Sequence, residues 1–170
     1  MIEIVPLTKA NHEDFVRINR IVQKTLTNSS WFMPFSEENL AKAFDDCSTF
    51  TVYGAVEDGR VVALSLLDSD EGEWGELADA LKISGKIVEL GGSMVLPEAR
   101  GRNLMYEINL ALLDRARHEK IDYVVATAHP DNLASNRSLQ KLGMECKAKI
   151  IRAGKYLRNV YIIKLQKQFY

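Results

Sequence analysis

The chain has 170 residues, 46% hydrophobic and 26% charged, an ordinary globular balance for one domain spanning 1–170. Two cysteines, Cys47 and Cys146, exclude a disulfide scaffold, and the three scattered histidines (His12, His118, His129) show no metal-ligand spacing, so no metal is expected. A net charge of −1 argues against nucleic-acid affinity, no apolar run is long enough for a membrane span, and the first residues lack the pattern of a signal peptide, so the expected setting is cytoplasmic.

Ile2–Leu7 alternates like a short strand. A helix begins at Asn11, with Phe15, Ile18, Val22 and Leu26 on one face. Trp31, Phe32, Met33, Pro34 and Phe35 form an aromatic loop, and Ser36-Glu37-Glu38 caps a second helix running to about Phe44. Thr49–Val56 and Val61–Leu67 read as strands joined across Asp58-Gly59, a strong hairpin signal. The acidic stretch from Asp68 to Ser84 holds a short helix around Glu76–Leu81. Lys86–Leu96 is a strand interrupted by Gly91-Gly92, which signals a bulge or a close backbone approach. Asn103–His118 is the clearest helix, with an apolar stripe of Leu104, Ile108, Ala111, Leu112 and Ala116. Ile121–Ala128 reads as a buried strand, and Asp131 or Asn132 caps a helix that stops at Gly143. Glu145–Arg152 and Val160–Leu165 close the chain as strands, giving a mixed sheet with helices packed on it.

Charge divides along the chain. From Arg100 onward there are 14 Lys and Arg against 6 Asp and Glu; before it there are 8 against 17. A basic half and an acidic half suit one anionic and one cationic ligand, although a solvated surface produces the same tally. The sharpest feature of the basic half is Leu96-Pro97-Glu98-Ala99-Arg100-Gly101-Arg102-Asn103-Leu104-Met105, between a strand and the best helix. A helix start carries unpaired N–H groups and partial positive charge. Two arginines bracketing a glycine there are unfavourable unless an anion such as phosphate is held; the other reading is a basic turn exposed to water.

Met94-Val95-x-Pro97-x-x-Arg100-Gly101-x-Asn103 resembles the cofactor motif of the GNAT family of acyl-CoA N-acyltransferases, in which a Q/R-x-x-G-x-G/A loop holds the pyrophosphate of coenzyme A. About 30 residues on, Asn132-Leu133-Ala134-Ser135-Asn136 followed by Lys141-Leu142-Gly143-Met144 resembles that family's second signature. The resemblance implies an α/β (α+β) fold with a mixed, mostly antiparallel sheet of about seven strands flanked by helices, and acetyl-CoA as co-substrate. It implies a cofactor site at Met94, Val95, Arg100, Gly101, Arg102, Asn103, Leu104 and Met105, with Asn132 and Asn136 on the pantetheine amides or serving only as caps. Three positions depart from the pattern. Asn103 stands where Gly is expected, but Asn tolerates a positive φ. Met105 stands where Gly or Ala is expected. Leu139 replaces a Tyr that many members use as general acid.

The resemblance further implies an oxyanion donor at the backbone N–H of Met94 or Val95. Ser135 is the candidate proton donor to the leaving thiolate, or a simple helix cap. Glu89 is the candidate base, or an outward-facing solvated Glu; His129 is the runner-up base, or a cap on the sheet edge. The acceptor pocket is expected among Trp31, Phe32, Met33 and Phe35, with Tyr156 and Tyr161 opposite, unless these aromatics are core. The expected activity is N-acetyl transfer from acetyl-CoA to a primary amine, on a small molecule or a peptide N-terminus, in a ternary complex. A non-catalytic acyl-CoA-binding module is the alternative. An exposed strand near the C-terminus offers an edge for a homodimer.

Overall fold

A computed structural model describes residues 1–165. Seven strands form one sheet: β1 (Ile2–Pro6), β2 (Phe50–Glu57), β3 (Arg60–Asp68), β4 (Ile87–Val95), β5 (Tyr123–Ala128), β6 (Glu145–Arg152) and β7 (Tyr156–Lys164). Their spatial order is β1-β2-β3-β4-β5-β7-β6. Only the central β4–β5 pair is parallel; the other five pairings are antiparallel. The helices are α1 (His12–Thr25), α2 (Glu37–Ala41), α3 (Glu71–Leu81), α4 (Leu104–His118) and α5 (Leu133–Lys141).

The main core joins Phe15, Ile18 and Val22 of α1 and Ile108, Leu112 and Leu113 of α4 to β2, β3, β4 and β5. Leu77 and Ala78 of α3 close a second, smaller core with Ile87, Val125 and Val160. None of the helices among the described residues is long and apolar enough to cross a membrane.

Three expected boundaries shift, each for a physical reason. α2 ends at Ala41 rather than near Phe44, because the chain then turns to bury Ala43 and to set Phe44 edge-on against Phe15. α3 starts at Glu71, five residues early: Asp70 caps it by accepting from the Gly72 N–H at 3.0 Å, and Gly72 and Gly75 weaken its signal in the sequence. β7 starts at Tyr156, because the turn at Ala153–Lys155 pairs Tyr156 directly with Arg152.

Candidate active site

The site begins where the sheet opens. β4 and β5 pair only at Ile87–Glu89 with Tyr123–Val125, yet β4 continues to Val95 and β5 to Ala128, so the two strands part. A bulge on β4 accompanies the split: the β3–β4 register slips between Leu64 and Leu66, and Gly92 has φ +60°. A Cβ on Gly92 would lie 2.7 Å from Phe35 Cζ, so glycine here serves both the bulge and the approach of the aromatic loop. The Ser65 hydroxyl braces the bulge, donating to Gly91 O at 3.2 Å and lying 2.7 Å from Ser93 Oγ.

Past the bulge, Leu96 donates its N–H to Val62 O on β3 at 3.0 Å. Donor direction alternates along a strand, so the Met94 N–H also faces β3 and the Val95 N–H faces the gap. Of the two expected oxyanion donors, Val95 has the required direction.

The gap opens into a cleft of about 590 Å³ between α4, α5 and the end of α1. Gly101 (φ +74°) and Asn103 (φ +63°) are both left-handed, so Asn103 does take the conformation of the glycine it replaces. Asn103 makes no side-chain cap, leaving the first N–H groups of α4 without one. Its Oδ1 instead accepts from Lys141 Nζ at 3.1 Å, and that ammonium lies 4.0 Å above the Tyr106 ring. Arg100 and Arg137 also line the cleft, giving it a cationic mouth. Arg102 differs from expectation: it is held bidentately by Glu57 at 2.7 and 3.0 Å, which lowers that carboxyl below its usual range and offsets the arginine's charge. Arg102 still lines the cleft, and the pair also anchors the loop to the β2–β3 hairpin.

Several observations test whether a phosphate-bearing, partly apolar ligand suits this cleft. A Cβ built on Gly101 would meet nothing within 4 Å, so the backbone there is open to close approach. Trp31 Nε1 and Ser138 Oγ are buried without a hydrogen-bond partner, and both residues line the cleft. Val22, Leu26, Phe32 and Leu104 supply apolar wall. Coenzyme A, with phosphates at one end and a long flexible arm at the other, fits this donor set.

Asn132 caps α5, accepting from the Ser135 N–H at 3.3 Å, and lines the cleft. Ser135 is half-buried in the first turn of α5, and Ala134 rather than Ser135 is among the residues that line the cleft. Asn136 has another job from the one expected. It is 8% exposed, its amide donates to His129 O (2.9 Å) and Asn132 O (2.8 Å), and its Oδ1 accepts from Asn159 Nδ2 (3.0 Å) and Tyr161 OH (2.7 Å). With every polar group engaged, it clamps α5 to β7 and has nothing left for pantetheine. Tyr161, expected at the acceptor pocket, is a core residue, 1% exposed.

Glu89 is neither isolated nor solvated. It is buried and held bidentately by Arg152, whose Nη1 bonds Oε1 and whose Nη2 bonds Oε2 at 2.8 Å. Burial pushes its carboxyl up and Arg152 pulls it back, while Glu89 and Glu73 together hold Arg152 above its ordinary value against burial. With both oxygens taken, Glu89 is not a free base. His129 Nδ1 accepts the Asp131 N–H at 3.1 Å, which puts the neutral ring's proton on Nε2 and makes that nitrogen a donor. Its ring stacks on Trp31, with centroids 6.3 Å apart.

The sequence reasoning missed Arg137, Ser138 and Lys141 as cleft residues. Their signal is the spacing of Ala134, Arg137, Ser138 and Lys141, one helical stripe on α5. It also missed Thr25, Leu26 and Thr27, because the end of α1 reaches the cleft only through the fold.

Several solved structures share this architecture. An N-acetyltransferase from Staphylococcus aureus Mu50 superposes with a TM-score of 0.75 at 16% identity, covering 98% of this chain and 99% of that one. The yncA protein of Salmonella typhimurium, solved with its cofactor acetyl-CoA, gives 0.72 at 22% identity over 100% and 97% of the two chains. The ribosomal-protein-S18-alanine N-acetyltransferase of Escherichia coli gives 0.70 at 12% identity over 100% and 99%. At these identities the likeness is one of fold. No curated protein matches the chain in sequence. The model of the acetyltransferase (GNAT) domain matches residues 2–145, most of the chain, and the protein is therefore a member of the GNAT acetyltransferase family.

Proposed function

We propose that the protein is an acetyl-CoA-dependent N-acetyltransferase acting on a primary amine. The observation that carries this is the joining of two features in one cleft: an Arg100–Asn103 loop, left-handed at Gly101 and Asn103, that opens α4, and a strand gap into which the Val95 N–H points. The yncA protein, with the same fold, was solved with acetyl-CoA.

Arg100, Arg137, Lys141 and the N-terminal N–H groups of α4 would hold the phosphates, and Asn132 with the edge of β4 would hold the pantetheine arm. When bound, acetyl-CoA supplies an acyl group activated as a thioester, so that transfer forms an N–C bond, breaks the C–S bond and leaves a proton for the departing sulfur. The Val95 N–H is the donor directed at the carbonyl oxygen. The Ser135 hydroxyl, at the gap end of α5, holds the proton for the sulfur. The acceptor enters on the sheet face covered by α1, α3 and the aromatic loop, since α4 and α5 wall the cofactor side. Holding both substrates in one gap supplies the largest share of the rate, on the order of 7–11 kcal/mol in favourable systems.

Calorimetric titration with acetyl-CoA, against CoA and inorganic pyrophosphate, tests the cofactor; acceptor-dependent release of free thiol tests catalysis. Saturable binding that needs the pantetheine arm is expected, and its absence overturns the proposal. Thiol release that no amine stimulates would leave the non-catalytic binding module as the better reading.

Two substitutions probe the assignments separately. Gly101→Ala is expected to cost about 1–2 kcal/mol of stability from its left-handed backbone. It is also expected to weaken acetyl-CoA binding at least about tenfold, because the new methyl occupies the open approach to α4. Unchanged affinity would move the phosphates elsewhere. Ser135→Ala is expected to lower kcat by roughly 10²-fold with acetyl-CoA affinity nearly unchanged, read by steady-state kinetics. An unaltered kcat removes Ser135 from the mechanism.

A further inference from the structure

Between α3 and the Ser30–Phe35 loop, the sheet carries two buried arginines. Glu89 touches Arg152, and Arg158 pairs across the β6–β7 ladder with Ile150, two residues from Arg152, so all three side chains belong to one face. Arg152 is balanced by Glu89, with the Glu73 carboxylate 3.8 Å away.

Arg158 has no such balance. It is 2% exposed, yet among the described residues no carboxylate lies within 4.0 Å of its guanidinium. Its Nη1 donates to Leu157 O and its Nη2 to Ser30 O, each at 2.8 Å, and the Tyr156 ring lies 5.2 Å from Cζ. A guanidinium has five N–H donors, and the two bonds here go to neutral carbonyls, neither of which offsets its charge. Burial first, and then the like charge of Arg152, pull Arg158 below its ordinary value against the opposing effect of Tyr156. Buried cations are normally paired.

The location gives this cation a use. Ser30, which accepts from Arg158, directly precedes Trp31, whose indole lines the cleft and has an unpartnered N–H. Arg158 thus lies on the acceptor face, behind the aromatic wall and clear of the phosphate loop on the other side of the sheet. A neutral or polycationic amine would leave it uncompensated. An acceptor bearing an anion a few bonds from its amine would complete the pair.

We infer that the acceptor is a small amine that also carries a carboxylate, a free amino acid in kind, and that Arg158 receives that carboxylate. This rests on the acetyltransferase reading above and narrows it, setting amino acids ahead of peptide N-termini and polyamines. The reaction is unchanged: the neutral amine nitrogen forms the N–C bond, the thioester C–S bond breaks, the sulfur takes the proton held at Ser135 and the nitrogen's proton replaces it there. The carboxylate only orients.

The test uses the full-length protein, acetyl-CoA and the twenty free amino acids, each beside its own carboxamide, with spermidine as the polycationic control. Thiol release is the readout. At least one amino acid is expected to show kcat/KM about thirtyfold or more above its carboxamide. Arg158→Gln is expected to bring that ratio close to one, and Arg158→Lys to restore part of it. If Arg158 merely clasps the Ser30 carbonyl, the variants lower the rates of acid and amide together and the ratio stands. That result, or carboxamides or spermidine used as well as free amino acids by the wild type, overturns the inference while leaving the acetyltransferase reading in place. So does an absence of any amino-acid turnover in a protein that binds acetyl-CoA. Should the glutamine variant not fold, the wild-type acid-to-amide ratio and the lysine variant decide. Failure to bind acetyl-CoA at all is the distinct outcome that removes the reading beneath it.

Discussion

Replacing Arg152 with Met is expected to lower the unfolding free energy by about 3–5 kcal/mol at pH 8, the range for breaking a buried pair from one side. Glu89 would remain buried with its counter-charge gone, and the bond from Arg152 to Glu73 O at 2.8 Å would go with it. Burial already raises the Glu89 carboxyl against the pull of Arg152, and without Arg152 the charges of Asp68 and Glu73 add to that rise. A carboxyl raised in the folded state contributes stability below its unfolded value and loses it as pH climbs through the folded one. The variant's deficit against wild type should therefore shrink between about pH 8 and pH 5, as Glu89 takes up a proton. Urea unfolding at the two pH values checks this. The double change Glu89→Gln with Arg152→Met should recover most of the loss at pH 8, because no buried charge is then left over. A deficit that is small at pH 8, or that grows on acidification, would show the pair contributing nothing to the fold.

Asn136→Ala is expected to cost about 2–4 kcal/mol, seen as a lower urea midpoint at unchanged slope. The carbonyls of His129 and Asn132 keep backbone donors, from Asn132 N at 2.9 Å and Asn136 N at 3.1 Å. The Tyr161 hydroxyl loses the shorter of its contacts and keeps only the Gln140 side chain. Its residue is 1% exposed, and its bond to Asn136 at 2.7 Å is the one lost. The lost bonds from Asn159 and Tyr161 and a small cavity together account for the magnitude. Acetyl-CoA affinity in the folded variant should stay within a few-fold of wild type. A pantetheine contact would give the opposite pattern, with affinity falling more than about tenfold and the midpoint unmoved.

Both predictions concern residues that the sequence placed in the active site and the fold turned to structural use. Glu89 was visible as a lone acid on an apolar strand, which correctly marks a residue with a partner or a role. The partner, Arg152, is 63 positions away on a strand three places over in the sheet. Asn136 was visible through its place in the Asn132–Asn136 signature, but the atoms that occupy it, Asn159 Nδ2 and Tyr161 OH, come from β7. Arg102 stays at the cleft, but its charge is offset by Glu57 at the far end of β2.

The sequence by itself determined the order of the elements, the β4 glycine bulge, the Arg100–Asn103 loop and the cap at Asn132. Each is written in consecutive residues: a period of two or of 3.6, a glycine or asparagine where φ turns positive, a short polar side chain at a helix start. The tertiary structure alone decided which of the charges are spent and which are free. Arg152 and Arg102 meet carboxylates, Lys141 meets Asn103, and Arg158 meets two carbonyls and the Tyr156 ring. The reason is that a charge is neutralised by whatever the fold brings within about 4 Å of it in a medium of low dielectric, and strand order, not spacing along the chain, sets that neighbour.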